Sequence, residues 1–336
     1  MCYSAMVAQS VKALGIRFQA RIQLDLFEEL FRRRLYDDRI RIPRSMEYDF
    51  LEPTNEAEQR IQQAILEYRR AQAETWAKEL TKQRERLSAA ERSLAARSTK
   101  KAVNEQRIAS NKIAWYESKL ADLTRDQAQP DDTRIFPQWY APVVVVAGGE
   151  AVVRPMRYHL RPGDKSSDID RRFDGLYNAR IDSLTGFWRN QFGRQHAVMV
   201  VSSFFENVAR HAYEHRPLVG GESEQNLVVQ FQPTQQSGAR QSCAAEIQPA
   251  ASPSMIVACL WDHWRARGGE PDLWSFAAVT DEPPADVSEA GHDRCIVALR
   301  DGDVARWLTP EGRSDEELFR LLADHEPFRY KHRLAG

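Results

Sequence analysis

Between Pro53 and Pro130 the chain runs for 76 residues without a glycine, a proline or a cysteine. A span of that length with nothing to break or kink a helix is helical almost by elimination. Its apolar residues Ile61, Ile65, Trp76, Leu80, Leu87 and Leu94 recur at separations near four and seven, as one helical stripe requires. A polar break at Ser98, Thr99, Lys100 and Lys101 precedes a second run through Ile108, Ile113, Tyr116, Leu120 and Leu123. Residues 54–129 therefore read as two long helices folded into an antiparallel hairpin. Basic residues exceed acidic ones there by four, but they are interspersed as on an ordinary wet helix face. The hairpin reads as a solvated or self-associating arm, or as an arm for a partner, and no DNA contact is assigned to it.

The flanking sequence has a different texture. Val11 to Asp37 reads as one core-docking helix, with Phe27, Leu30 and Phe31 on one face and Glu28, Arg32, Arg33 and Arg34 around the other. Beyond Pro130, β-branched and aromatic runs alternate with Gly, Pro, Asp and Ser: Val143 to Ala147, Ala151 to Tyr158, Ala197 to Ser203, Leu227 to Gln232, Met255 to Trp261, Trp274 to Thr280 and Cys295 to Leu299. Ser314 with Glu317 fits a capping box ahead of Leu318, Phe319, Leu321 and Leu322, and Lys331, His332 and Arg333 read as a frayed tail. The expected class is α+β: a largely antiparallel, barrel-like sheet core with peripheral helices. Residues 1–53 and 130–325 would form this body, 54–129 the inserted hairpin and 326–336 the tail.

With 47 basic against 48 acidic side chains, the formal charge of −1 supplies no global pull toward nucleic acid or anionic lipid, so any polyanion site is local. No apolar run approaches the about 20 residues of a membrane-spanning helix, and Gln9, Ser10, Lys12 and Arg17 interrupt any signal-peptide pattern. A cytosolic (cytoplasmic) protein without a membrane partner is expected. Cys2, Cys243, Cys259 and Cys295 form no CxxC pair and no His/Cys cluster of zinc spacing, so no disulfide framework, structural metal or cofactor is indicated. The serine-hydrolase, P-loop and dinucleotide signatures are absent.

Met1-Cys2 is the informative dipeptide, because a small second side chain permits removal of the initiator Met. Cys2 would then carry a free α-amine and a thiol, a pair no internal cysteine offers. Reference pKa values of roughly 8 and about 8.5 leave part of each nucleophilic near neutrality. An aldehyde meeting this aminothiol forms a Schiff base with the amine and is captured by sulfur as a five-membered thiazolidine. Taken alone, Cys2 also fits a plain small residue at a frayed terminus.

Further segments occur in order: Tyr177-Asn178-Ala179-Arg180, Ser203-Phe204-Phe205-Glu206, Ala258-Cys259-Leu260-Trp261, Ser275-Phe276-Ala277-Ala278-Val279-Thr280 and His292-Asp293-Arg294. Together with Met1-Cys2 they make the chain resemble the SRAP family, the SOS response-associated peptidases, from Pro130 to about Leu322. The resemblance implies a protein that recognises abasic sites in single-stranded DNA, joins itself to the ring-opened sugar through Cys2, and removes its own Met1. It implies Cys2 as nucleophile, Asn178 as holder of the terminal amine, Glu206 as proton carrier and His292 as the acid for ring opening. Amine attack on a carbonyl needs a base and loss of water needs an acid, so these residue types suit the chemistry.

For DNA contacts the resemblance points to Arg180 as a phosphate ligand. Arg154, Arg157 and Arg161 surround Tyr158, and residues 151–216 carry four more basic than acidic side chains. The DNA-binding candidates are thus Arg180, Arg157, Tyr158 and Thr280, although a charged sheet edge that only keeps the chain soluble is equally natural for the three arginines around Tyr158. The chain departs from the family pattern in several places. It reads Cys2-Tyr3-Ser4 where Cys-Gly-Arg is common, Met156-Arg157-Tyr158 where W-G-L is common, Asn207 where a Trp usually follows the Glu, and Cys295-Ile296 where Met-Pro usually follows H-x-R. Retained crosslinking with altered DNA preference is the expectation. Two other classes compete: an N-terminal-nucleophile amidohydrolase with Cys2 attacking an amide, and a non-catalytic binding module whose hairpin recruits partners.

Overall fold

The computed structural model describes residues 3–335 apart from 9, 126, 235–252 and 267–268. Its strands are β1 (Ser4–Val7), β2 (Arg21–Ile22), β3 (Arg134–Ile135), β4 (Tyr140–Ala147), β5 (Glu150–Tyr158), β6 (Asn178–Arg180), β7 (His196–Ala209), β8 (Asn226–Thr234), β9 (Met255–Trp264), β10 (Leu273–Asp281), β11 (Cys295–Ile296), β12 (Ala298–Leu299) and β13 (Arg329–Leu334). Every segment expected to be extended lies in one of these strands, the last broken at Val297. They form one mixed, largely antiparallel sheet in which β9, β10, β5, β4 and β7 pair in turn and β7 pairs back onto β9. The fold is α+β, with a ring of strands at its centre.

That ring explains why the strands read as unbroken apolar runs rather than as alternating ones. Successive side chains point to opposite faces of a sheet, and here both faces are covered. Val144, Val153, Val198, Leu260 and Val279 join a core shared with helix residues Phe27, Phe31, Ile61 and Leu318. Their neighbours Val143, Val145, Val152, Met199, Cys259 and Ala278 join a second core made largely of strand residues, with Tyr158, Phe204, Phe231 and Phe276.

The helix expected from Val11 to Asp37 is two helices, α1 (Val11–Arg17) and α2 (Leu24–Arg34), separated by β2, which pairs parallel to β5. The stop is a Schellman motif: the Ala20 N–H donates to Gly15 O at 2.8 Å and the Gln19 N–H to Ile16 O at 3.3 Å, with Gln19 at φ 49°. Glutamine occupies the left-handed position where glycine would have announced the stop. A Cβ on Gly15 would lie 3.2 Å from Ala20 O, so the close approach falls on that glycine instead.

After α3 (Arg44–Tyr48) the hairpin follows as α4 (Glu56–Ala96) and α5 (Lys100–Thr124), each N-capped by a side chain, Asn55 and Thr99. At ~1.5 Å per residue α4 is roughly 60 Å long and α5 about 37 Å, so α4 outruns its partner. The surplus is the root of the arm, where Ile61, Ala64 and Ile65 are buried in the core beside α2. Beyond it, Arg84–Glu117 at 2.7 Å and Arg86–Glu105 at 2.5 Å tie the two helices. The closing residues are not frayed, since β13 pairs with β8 over Arg329 to Leu334 and its Arg333 Nε donates to Gln230 Oε1 at 2.9 Å. The capping box at Ser314 is present, with reciprocal bonds of 3.0 and 3.2 Å to Glu317.

One buried carboxylate fastens the arm. Glu47 on α3 accepts from Arg34 on α2 at 2.6 Å and from Arg69 on α4 at 2.6 Å, with Arg34 and Glu47 both buried. Removing one partner of such a buried group leaves charge without compensation, at a cost of roughly 3–5 kcal/mol. Glu47→Ala should lower stability by about that much in a denaturant titration, and a loss under about 1 kcal/mol would show that the triad does not anchor the arm.

Candidate functional site

The site begins with a short parallel pairing. β6 lies beside β10 with Asn178 opposite Ala278 and Arg180 opposite Thr280. Residues two apart on a strand share a face, so Asn178, Arg180 and Thr280 project together. They line a cavity of about 400 Å³ with Tyr3, Gly175, Tyr177, Asn207, His292, Asp293 and Arg294. Asn178 is buried, and among the described residues neither its amide oxygen nor its amide nitrogen has a hydrogen-bond partner. Buried polar groups are nearly always satisfied, so an amide left open toward a cavity is built to hold something.

Glu206 comes from β7, which pairs with β1 on one edge and β8 on the other. Flanked on both sides, its side chain is fully buried, and the Tyr3 N–H donates to its Oε2 at 3.3 Å. Burial pushes the carboxyl up to about 8, since ionisation would place a charge where water cannot reach. His292 Nε2 stands 3.5 Å from the same Oε2. Burial lowers the imidazole pKa as well. Its Nδ1 lies 2.9 Å from Arg294 O and accepts from the Arg294 N–H at 3.2 Å, so the Arg294 backbone holds the ring with Nε2 turned toward Glu206 in either tautomer. At neutral pH the pair is thus a protonated carboxyl beside a neutral imidazole, sharing one titratable proton.

His292 owes its position to Gly291. The helix Ala285–Glu289 ends in a Schellman motif, with the Gly291 N–H donating to Ser288 O at 2.9 Å and the His292 N–H to Val287 O at 3.2 Å. Gly291 has φ 88°, and a Cβ there would lie 3.0 Å from both Ala212 and Val208.

The structure therefore brings Asn178, Glu206, His292, Arg180 and Thr280 together. Arg180 is half-exposed and held by Asp182 at 2.6 Å, so an incoming phosphate must compete with that carboxylate. Arg157 and Tyr158, expected at the surface, are instead buried, and neither lines this cavity. Tyr158 is fully buried, stacked 5.3 Å from Phe276 and edge-on to Tyr177. Arg157 is buried, donating to Asp170 at 2.8 Å and to His159 O at 3.1 Å. Nor do its neighbours decorate a solvated edge. Arg161 shares Asp170 at 2.6 Å, and Arg154 is buried 4.4 Å from the Trp274 ring. Arginines at strand positions read as exposed until the carboxylates and rings that receive them are known.

Arg294, the last residue of the H-x-R motif, is half-buried at the cavity wall and adds a second cation there. Cys2 lies outside the described residues, as does Cys243. Of the two described cysteines, burial pushes the Cys295 thiol up to about 12 and the Cys259 thiol higher still, so both are poor nucleophiles.

Gly291→Ala tests the positioning. It should cost about 1–3 kcal/mol, from the left-handed backbone and the tight contact, and should displace the His292 ring. The checks are thermal denaturation and the His292 ring resonances by NMR; an unshifted ring and unchanged stability would show that the turn does not place His292.

Two solved structures match part of the chain. One is a protein from Bacteroides thetaiotaomicron, 16% identical, covering 61% of this chain and 78% of that one with a TM-score of 0.44. The other is a phage-related protein from Bordetella bronchiseptica, 14% identical, covering 63% and 85% with a TM-score of 0.42. No curated protein matches the sequence. The family model described as SOS response associated peptidase (SRAP) matches residues 84–332, from the middle of α4 to within β13. No helix among the described residues is long and apolar enough to cross a membrane. With the model matching most of its length, the chain belongs to the SRAP family, which ties it to the SOS response and to DNA damage.

Proposed function

We propose that this protein binds abasic sites in single-stranded DNA and crosslinks to them through Cys2 after releasing Met1. The observation that carries the reading is the buried Asn178 amide, without a hydrogen-bond partner among the described residues, in a cavity lined by Tyr3 and by His292, behind which Glu206 lies 3.5 Å from the imidazole. One peptide bond separates Tyr3 from Cys2, so their Cα atoms are ~3.8 Å apart. In this reading residues 1–53 and 130–334 form the DNA-binding body and 54–129 an inserted arm. The half-exposed Trp115 and Val103 leave the arm available to a protein partner or a second copy.

Hydrolysis of the Met1–Cys2 bond consumes one water and frees the Cys2 amine, which Asn178 orients. The amine attacks the aldehyde carbon of the ring-opened sugar. One amine proton moves to the carbonyl oxygen to give a carbinolamine; Glu206, protonated at neutral pH, then gives its proton to the hydroxyl that leaves as water and takes back the remaining N–H proton, so a Schiff base remains. The Cys2 sulfur then bonds to that carbon while the thiol proton passes to nitrogen, closing the thiazolidine. Ring opening beforehand takes a proton from the Glu206–His292 pair onto the ring oxygen, and the pair recovers one from the C1 hydroxyl as the aldehyde forms. Arg180 and Arg294 supply cations for the flanking phosphates.

The deciding experiment compares wild type with Cys2→Ser on abasic single-stranded DNA. Wild type should give an adduct that survives heat and denaturant, whereas Cys2→Ser closes only an oxazolidine and should lose it. An equally stable adduct in Cys2→Ser would overturn the thiazolidine step.

The proton carrier makes its own prediction. Because the acidic form of Glu206 is the active one, its contribution is full below about 8 and fades as pH rises through that value. Glu206→Gln should crosslink roughly 10²- to 10⁴-fold more slowly at pH 7, and the gap should narrow above pH 8. A gap independent of pH in single-turnover kinetics would mean that another group supplies the proton.

The cavity cations predict a shallow salt dependence. For single strands the logarithm of affinity falls by about 0.7 per neutralised phosphate per log unit of salt. Arg180→Ala should remove about one such contact in a salt titration with an unreactive abasic analogue, and an unchanged slope would remove Arg180 from the DNA path.

A further inference from the structure

Bases of a single strand bind where flat rings lie beside a cation. Tyr158 is sealed in the core, yet a row of half-buried rings starts at the cavity itself. Tyr3 lines the cavity and meets Phe136 edge-on with ring centroids 5.8 Å apart; Phe136 in turn lies 5.5 Å from Trp139. The Arg134 guanidinium lies 3.7 Å from the Phe205 ring and 4.9 Å from Phe136, while its Nε donates to Ser4 Oγ at 3.1 Å. Among the described residues no carboxylate lies within ion-pair distance of it, although Asp131 acts on its charge from farther off, in contrast to Arg157, Arg161 and Arg180.

The row is held rigidly. Phe136 to Trp139 form a tight turn with Pro137 second and Gln138 third, closed by the Trp139 N–H donating to Phe136 O at 2.9 Å. Gln138 has φ 75°, where glycine is the usual residue. Two bonds of 2.7 Å to the Tyr158 backbone, from the Gln138 N–H and to Trp139 O, keep the turn in place. The buried Tyr158 thus acts as the peg for this turn. Strain of this kind persists only where the surroundings over-determine it, which suits a surface that must present rings at a fixed angle.

We propose that Tyr3, Phe136 and Trp139 form a stacking platform for the base adjoining the abasic nucleotide, with Arg134 as the cation for the phosphate between them. The inference rests on the abasic-site reading and adds which neighbour the protein reads. Continuity with the cavity argues for a nucleobase as occupant: a strand whose abasic sugar enters beside Asn178 must carry its next base within one nucleotide of Tyr3.

The test uses the full chain, an intact single-stranded oligonucleotide as reference and two abasic ones. One carries a single unreactive tetrahydrofuran abasic analogue. In the other the adjoining nucleotide is also the analogue, so the phosphate stays and the base is gone. Wild type should lose roughly 5- to 150-fold in affinity when the base on one side is removed, the range for one base on an aromatic surface. Phe136→Leu and Trp139→Leu should weaken binding of the first oligonucleotide and bind the second like wild type, while Phe136→Tyr should keep the discrimination. Equal binding of both oligonucleotides by wild type, a comparison that needs no variant, would overturn the platform, as would full discrimination in the Leu variants. A protein that prefers the single analogue over intact DNA but ignores the neighbouring base would sink the platform alone. One without that preference would sink the abasic-site reading and the platform with it.

Discussion

The burial of Glu206 is the constraint from which the rest of the site follows. A carboxyl enclosed by β1 and β8 on either side of β7 has no water to solvate a charge, so it keeps its proton through neutrality. That proton makes a neutral imidazole the natural neighbour, and His292 is lowered by the same burial. An ion pair in this place would have to recover two desolvation penalties, whereas a neutral acid beside a neutral base recovers none. The enclosure depends on β1, whose extension to Tyr3 both covers Glu206 and leads toward Cys2. The same short segment thus closes the acid from solvent and carries the proposed nucleophile.

The body and the arm solve different packing problems. The ring of strands buries both faces, which fixes register strongly, because a slip of one residue would exchange the two cores. The arm has one narrow seam and depends on its root, where Glu47 gathers two arginines and Arg125 pairs with Asp132 at 2.6 Å beside β3. That root adjoins β1 and β3, the strands that flank the ring row at the cavity rim. The family match begins inside α4 and so includes the outer part of the arm.

Much of this was legible in the residues, for physical reasons that differ by element. The hairpin was plain because 76 residues without a breaker leave one choice, and the strands because β-branched runs bounded by turn residues leave little else. Asn178, Arg180 and Thr280 were found through motifs, and their common face follows from strand alternation and the register of β6 on β10. What was misread depended on long-range partners. Arg157 and Tyr158 look like an exposed basic and aromatic pair until Asp170 and Phe276 are seen to receive them. The break at Gln19 was hidden because a glutamine holds the left-handed position, and β13 because its partner β8 lies about a hundred residues away. The ring row escaped for the same reason, since Tyr3 and Phe136 meet only through the β1–β3 pairing.

The account stands or falls on the protonation of Glu206. Infrared difference spectra of wild type minus Glu206→Gln, recorded across a pH series, isolate the carbonyl stretch of this one carboxyl. The protonated band should be present at pH 7 and disappear with a midpoint near 8. A carboxylate already ionised at pH 7, titrating near the ordinary value of 4.5, would contradict the buried-acid account and the one-proton pair built on it.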